Sequence, residues 1–281
     1  ANKAEIILPI SENSSLINQA STCLDHNGNP VTCTWWAPET ASSNYRRQYR
    51  VVFRDDNGTA TLADDTWQAR NVSDRTTDPV GTRYAEDHVR DLGRPVIVAD
   101  DADRLIVSYR DNQGSPSLTT GVGNGLTIVH SLPKADDPHR LVWVQFDLTT
   151  ENLGNYEPII DNELWDRERQ LHFLYQAAEG QGYTAPANLA SRFSVLEWDA
   201  AAYFAHQPQP GVAFSADKTQ ITITCPSQPS WAYRLWSSTN MQDWTPVETR
   251  VGTGMPLDFV QPANLGESKR FWRIEFKEGG F

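Results

Sequence analysis

Apolar and polar positions alternate with a period of two along most of the chain. They fall in short runs rich in Val, Ile, Thr, Tyr, Phe and Trp, broken by turn sequences such as NGNP, DDNG, DDADR, DNQGS and GVGNG. This is the pattern of antiparallel strands. The stretch ASTCLDHNGNPVTCTWW, residues 20–36, predicts a hairpin with strands over 21–25 and 31–36 and a turn centred near Gly28. QYRVVFRDDNGTATLADDTWQARNV adds strands near 48–54 and 66–72, which completes one four-stranded sheet. RPVIVADDADRLIVSYRD, GLTIVHSL and HRLVWVQFDL predict a second such unit. A third and shorter one, of three strands, starts at YEPIIDNELW, continues through QLHFLYQ and ends at SRFSVLEWD. The charges of DNELWDRERQ would suit a helix, but the alternation of QLHFLYQ favours strand for this region.

Consecutive four-stranded sheets of roughly fifty residues each predict an all-β fold of β-propeller blades around a common axis. Residues 1–200 would supply about three blades, and a ring needs roughly four to eight. The expectation is therefore a partial ring, completed by an N-terminal half or by a second chain; a sandwich is the alternative if the repeat reading fails. DAAAYFAHQPQPG, residues 199–211, predicts a short helix capped by Asp199 and then a proline-rich linker over 201–211. Beyond it, 212–281 alternates again in VAFSADKTQITITC, WAYRLWSST, MPLDFV and RFWRIEF, predicting a small antiparallel β-sandwich of five or six strands as an accessory module.

Charge narrows the partners. The 281 residues carry 36 acidic and 24 basic side chains, a formal charge of −12 and a pI near 4.9, which argues against nucleic acid held by bulk attraction to phosphates. An anionic ligand stays open if arginines are concentrated in one cleft. No window approaches eighteen consecutive apolar residues, so no membrane-spanning helix is expected. ANKAEIILPISENSS lacks a basic segment followed by an apolar one, so an export signal would be already removed or lie outside this sequence. Three cysteines are too few for a disulfide scaffold. With a turn centred at Gly28, however, Cys23 and Cys33 fall directly opposite each other. A cross-strand disulfide, which would suit a secreted or periplasmic protein, and two reduced, packed thiols are both open.

Three segments together resemble one family: GNPVTCTWW with QYRVVF, then RPVIVADDADRLIVSYRD, then NYEPIIDNELWDRERQLHFLYQ leading to VLEWD. They are similar to the C-terminal blades of the neuraminidase-repeat (BNR-like) propellers that include the ulvan lyases, over roughly residues 5–200. The resemblance implies a seven-bladed propeller that cleaves acidic, uronate-containing polysaccharide by β-elimination. This chain would supply one wall of the cleft, since the family's catalytic histidines lie in N-terminal blades. YRLWSSTNMQDWTPVETRVG with RFWRIEF resembles a small β-module appended to secreted carbohydrate-active proteins.

β-Elimination needs a group that neutralises the uronate carboxylate and a base near the C5 proton. By resemblance, Arg75 in NVSDRTTDPVG occupies a position that binds the acidic sugar; a loop arginine paired with Asp74 or Asp78 is the alternative. Arg94 in GRPVIV opens a strand and is either a channel residue or half of a salt bridge. NYRRQYR, Tyr45–Arg50, is the most basic aromatic stretch, and Arg47 and Tyr49 suit a uronate by carboxylate fork and ring stacking. The alternative sets them on opposite faces of a strand against a neighbouring blade. His88 in YAEDHVRD is the candidate proton carrier, with Glu86, Asp87 and Asp91 to raise its pKa. The resemblance further implies a structural zinc to which Cys33 and His172 would contribute, although two ligands fall short of the usual four. No cofactor is required, and a structural zinc or calcium ion is left open. His26, His130, His139 and His206 read as structural, the DD pairs at 55, 64 and 100 as turn caps, and STNMQDWTP as an aspartate-box-like folding turn. The alternatives to a lyase are a carbohydrate-binding or scaffolding propeller fragment without catalysis, and a glycoside hydrolase on the same scaffold.

Overall fold

The computed structural model describes residues 6–12, 14, 16, 20–38, 47–57, 59, 64–73, 75, 92–111, 125–149, 158–178, 191–206, 208–263 and 269–280. The chain divides into two compact units, Ala1–Asp199 and Ala200–Phe281.

The first unit is built from small antiparallel sheets. Strands β1 (Ser21–Leu24), β2 (Pro30–Trp36), β3 (Gln48–Asp55) and β4 (Thr66–Asn71) form a meander in sequence order, and β5 (Val96–Ala99), β6 (Leu105–Asp111), β7 (Gly125–Ser131) and β8 (Trp143–Thr149) form a second one. Alternation decides how the two sheets meet. Val31, Cys33 and Trp35 of β2 and Tyr49, Val51 and Phe53 of β3 point the same way, into one buried cluster with Ile97, Leu105, Val107, Tyr109 and Val129 of the second sheet. The second sheet is apolar on its other face too. Ile128 and Phe146 stand opposite each other there, and the Phe146 ring meets Trp198 edge-on at 5.8 Å. Trp198 belongs to the third sheet, in which β9 (Ile159–Ile160), β10 (Gln170–Ala178) and β11 (Ser191–Asp199) pair in the order β11-β10-β9. A sheet buried on both faces reads as continuous apolar runs, which is why LIVSY and LTIV lack clean alternation.

The first two sheets repeat one turn design, with residue n of the first answering to residue n + 75 of the second. Asp25 accepts hydrogen bonds through Oδ1 from the amides of Asn27 and Asn29 at 3.0 and 2.7 Å. Asp100 does the same for Ala102 and Arg104 at 2.9 and 2.8 Å. The fourth turn residue takes the left-handed conformation in both, Gly28 at φ 78° and Asp103 at φ 55°. Each sheet spans about fifty residues, Ser21–Asn71 and Val96–Thr149, and the connection from β4 to β5 brings the spacing between them to about 75. Asp100→Ala removes the acceptor shared by two amides and the pair with Arg104. It is expected to destabilise the first unit by about 1–2 kcal/mol in chemical denaturation, as is Asp25→Ala.

The same turn corrects the expected register. Cys23 stands opposite Val31 and Cys33 opposite Ser21, so the pairing is centred one residue before Gly28. The cysteines are diagonal neighbours, a relation that separates β-carbons by roughly 7 Å, and both are free. No disulfide joins them, and the inference of export that rested on one lapses.

A second correction concerns 162–168. Asn162–Glu168 is a helix, α1, where strand was expected. The Asp161 side chain caps it by accepting from the Leu164 amide at 3.0 Å, Glu163 and Arg167 complement its ends, and Arg169 closes it at φ 57°. QLHFLYQ begins only after that cap and is strand as expected.

The second unit begins with a short helix, α2 (Ala200–Phe204), followed by six strands in two three-stranded antiparallel sheets. β12 (Gly211–Phe214), β13 (Gln220–Cys225) and β16 (Leu257–Pro262) form one in the order β12-β13-β16. β14 (Trp231–Ser238), β15 (Thr245–Val251) and β17 (Phe271–Glu278) form the other in the order β15-β14-β17. Ile223, Cys225, Tyr233, Leu235, Leu257 and Phe259 are among its buried residues, drawn from both sheets. The expected linker is anchored to this unit: Tyr203 donates to the Pro229 carbonyl at 2.9 Å, and His206 Nε2 lies 2.9 Å from the Tyr233 hydroxyl. Gly252 is required where it stands, since a β-carbon there would collide with the Gln228 carbonyl and the Tyr233 ring.

Candidate functional site

In a meander, alternate connections lie at opposite ends of the sheet, so the first two sheets present two distinct rims. The rim of the tight turns is electrostatically closed. Lys134 pairs with Asp56 at 2.6 Å, Arg140 with Asp103 at 3.0 Å, His139 Nδ1 with Asp55 at 3.0 Å and Arg104 with Asp100 at 3.1 Å. Arg169 adds a bond to Asp101 at 2.6 Å and holds the third sheet to the second. An open cavity of about 510 Å³ lies here, bordered by His26, Asn27, Asp56, Asp101 and Lys134, but its charges answer one another.

The other rim collects arginines. Arg47 at the entry to β3, Arg75 after β4 and Arg110 near the end of β6 are buried, and Arg50 of β3 is half-buried. Trp35 and Trp36, the last residues of β2, provide the surfaces they lie on, with the Arg47 guanidinium 5.5 Å from the Trp35 ring and that of Arg50 4.3 Å from Trp36. Burial lowers the Arg50 pKa from its ordinary value, and its Nε has no hydrogen-bond partner. A guanidinium held this way has the chemistry to receive a carboxylate or sulfate, which would restore what desolvation took.

Gln48 organises the rim. Its amide nitrogen donates to the Arg75 carbonyl at 2.8 Å, while its amide oxygen accepts from the Arg75 amide at 3.1 Å and from the Ser73 hydroxyl at 2.6 Å. The side chain thereby acts as a short strand for the segment that carries Arg75. Tyr49 is the second organiser. Its ring stacks on Tyr109 at 3.9 Å and 16°, and its hydroxyl lies 2.9 Å from both the Gly93 and the Arg110 carbonyls, sharing one proton between them.

Of the residues expected to touch ligand, Arg75 and Arg47 lie at this rim, and Arg94 is exposed just before β5. Tyr49 is wholly buried, so it positions the rim and cannot stack on a sugar. Arg47 and Tyr49 do not oppose each other across the strand: two positions apart, they share the face that meets the second sheet. His88 lies outside the described residues. Cys33 and His172 are not brought together. Cys33 is buried between the first two sheets, whereas His172 alternates with buried Leu171 and Phe173 and faces away on the far side of the third. Burial pushes the Cys23 pKa up to about 12 and raises that of Cys33, so both stay as thiols, the form that ligates metals poorly. Among the described residues, no group of three His, Cys, Asp or Glu side chains is arranged to hold a metal ion. Among them also, no helix is long and apolar enough to cross a membrane.

The sequence singled out the stretch Tyr45–Arg50 but neither Gln48 nor Arg50 within it. Arg50 could have been found from strand parity, since β2 and β3 each alternate and Trp36 and Arg50 fall on the same side. Gln48 could not, because its partners arrive from a connection 25 residues later.

No protein-family profile matches the chain, and no curated protein matches it significantly.

Proposed function

We propose that the first unit is a set of β-propeller blades whose arginine-bearing rim binds an acidic, uronate-containing polysaccharide, in an extracytoplasmic protein. The observation that carries this reading is the gathering of Arg47, Arg50, Arg75 and Arg110 at one end of two sheets in a chain of charge −12. The 75-residue repeat of four-stranded meanders packed face to face supports the blade reading. So does the outward face of the third sheet. Ile159, Leu174, Phe193 and Val195 are 64, 45, 73 and 56 % exposed there, which suits cover by a further sheet, from a second chain or another part of the protein.

The reaction we assign to the completed site is β-elimination. A base takes the C5 proton, the C4–C5 double bond forms as the C4–O bond breaks, and the departing oxygen takes up a proton. Arg50, the half-buried member of the rim, pairs with the uronate carboxylate and so favours the carbanion-like transition state, with the buried arginines adding positive charge behind it. A binding role without cleavage is the second reading, because Arg50 on the Trp36 ring can hold a carboxylate without any base.

Arg50→Gln is expected to weaken binding of polygalacturonate or ulvan at least tenfold, measured by calorimetric titration. Unchanged affinity would remove the rim from consideration. Growth of ultraviolet absorbance from unsaturated uronates separates the lyase from the binding protein, and reducing ends without that absorbance would indicate hydrolysis.

A further inference from the structure

The second unit carries its own ligand chemistry. It contains seven acidic and seven basic residues, so the net charge of −12 belongs entirely to residues 1–199. On the β15-β14-β17 sheet, Tyr233 and Leu235 are buried, and the opposite face displays Arg234 and Trp236 of β14 beside Arg273 and Glu275 of β17. Trp236 stands directly across from Arg273 and Arg234 across from Glu275. The Arg273 guanidinium lies 5.1 Å from the Trp236 ring and 4.6 Å from Trp244, and that of Arg234 lies 5.7 Å from Trp236. The result is a ladder of alternating cations and indoles on an accessible sheet face.

Arg234, Trp236 and Trp244 are each held by a hydrogen bond to a group other than Arg273. The Trp236 indole N–H donates to Glu275 at 2.9 Å, and Arg234 Nε donates to the Thr249 hydroxyl at 3.2 Å. Trp244 is held by the STNMQDWTP turn, where its indole N–H donates to the Met241 carbonyl at 3.2 Å and Asn240 accepts from the Gln242 and Asp243 amides at 2.9 Å. Arg273 is exposed and, among the described residues, forms no ion pair with a carboxylate. Two indoles flank the guanidinium, and the residue stays exposed, so its N–H donors can be reached from solvent. The guanidinium fork matches a carboxylate bidentately, and half-buried Trp236 and Trp244 add apolar surface suited to the C–H face of a pyranose ring.

We infer that this face of the second unit is a separate binding site for a carboxylate-bearing glycan, with Arg273 as its anion receptor and Trp236 and Trp244 as its platform. The site stands on residues wholly outside the arginine rim of the first unit, so the two readings fail independently. The folding turn around Asn240 acquires a second use, since it delivers Trp244 to the ladder.

The test is calorimetric titration of the full chain with polygalacturonate, and with neutral dextran as the control polymer. In an Arg50→Gln background, residual polygalacturonate binding is expected, and adding Arg273→Gln should reduce it at least tenfold, with no binding of dextran in either. Arg273→Lys keeps the charge without the fork and should weaken binding at least threefold; it also serves as the test should Arg273→Gln fail to fold. Equal binding by Arg273→Lys and the parent overturns the receptor role, and equal binding by Arg273→Gln overturns the site. If Arg50→Gln alone abolishes all binding, the ladder proposal is overturned while the rim stands. If Arg273→Gln alone abolishes it and Arg50→Gln changes nothing, the ladder stands and the rim falls.

Discussion

Tyr49→Ala is expected to destabilise the first unit by about 4 kcal/mol, within the range for deleting a large buried aromatic side chain. Three contributions are lost together. The ring leaves the core shared by the first two sheets, its stack on Tyr109 at 3.9 Å disappears, and the Gly93 and Arg110 carbonyls lose their common donor. Domains of this size are stable by only about 5–15 kcal/mol, so the variant should lie close to the threshold of unfolding. Tyr49→Phe keeps the ring and removes only the hydroxyl, for an expected cost of about 1 kcal/mol. Urea unfolding followed by tryptophan fluorescence checks both. If Tyr49→Ala costs less than Tyr49→Phe is expected to, the residue is not the joint between the sheets.

Stability is expected to fall as pH drops from about 6.5 toward 4, and His130 should account for about 3 kcal/mol of the loss. Desolvation in the interior pushes its pKa down to about 4, while the unfolded chain protonates histidine near 6.5. Between those values the unfolded state binds the extra proton, so the contribution is fully present above pH 6.5 and lost as pH falls through the folded value. The Nδ1 of His130 lies 3.0 Å from the Ser131 carbonyl, and its ring meets Phe146 edge-on at 6.3 Å, between the second and third sheets. His130→Asn can keep a donor toward that carbonyl but cannot titrate. Its baseline stability will be lower, yet its unfolding free energy should vary less with pH than that of the parent. Parallel slopes for the two proteins between pH 6.5 and 4.5 would show that other groups carry the dependence.

Much of the strand order was legible because its signal is local. Alternation in QYRVVF, TCTWW and QLHFLYQ reflects sheets with one buried face, and Asp100 announces its turn because a carboxylate two residues from an amide can cap it without distant help. The helix at 162–168 was misread for a local reason as well. Seven residues with one buried side chain, Trp165, leave little periodicity to detect, and the deciding cap is the single residue Asp161. The two cysteines went wrong through one residue of turn geometry: moving the centre of a hairpin by one position changes every cross-strand partner by two.

By itself the sequence determined an all-β chain with a boundary near residue 200, an acidic first part, and arginines and tryptophans clustered near β2 and β3. These follow from residue chemistry and from interactions within a few positions. Only the tertiary structure decided that Tyr49 is a buried joint and no sugar platform, that Gln48 fastens Arg75, that Cys33 and His172 lie in different layers, and that Arg273 rests beside Trp236 and Trp244. Each depends on which strands become neighbours and which face of each is covered. That choice is made by packing between segments distant in sequence, where alternation names two faces and gives no sign of what will lie against them.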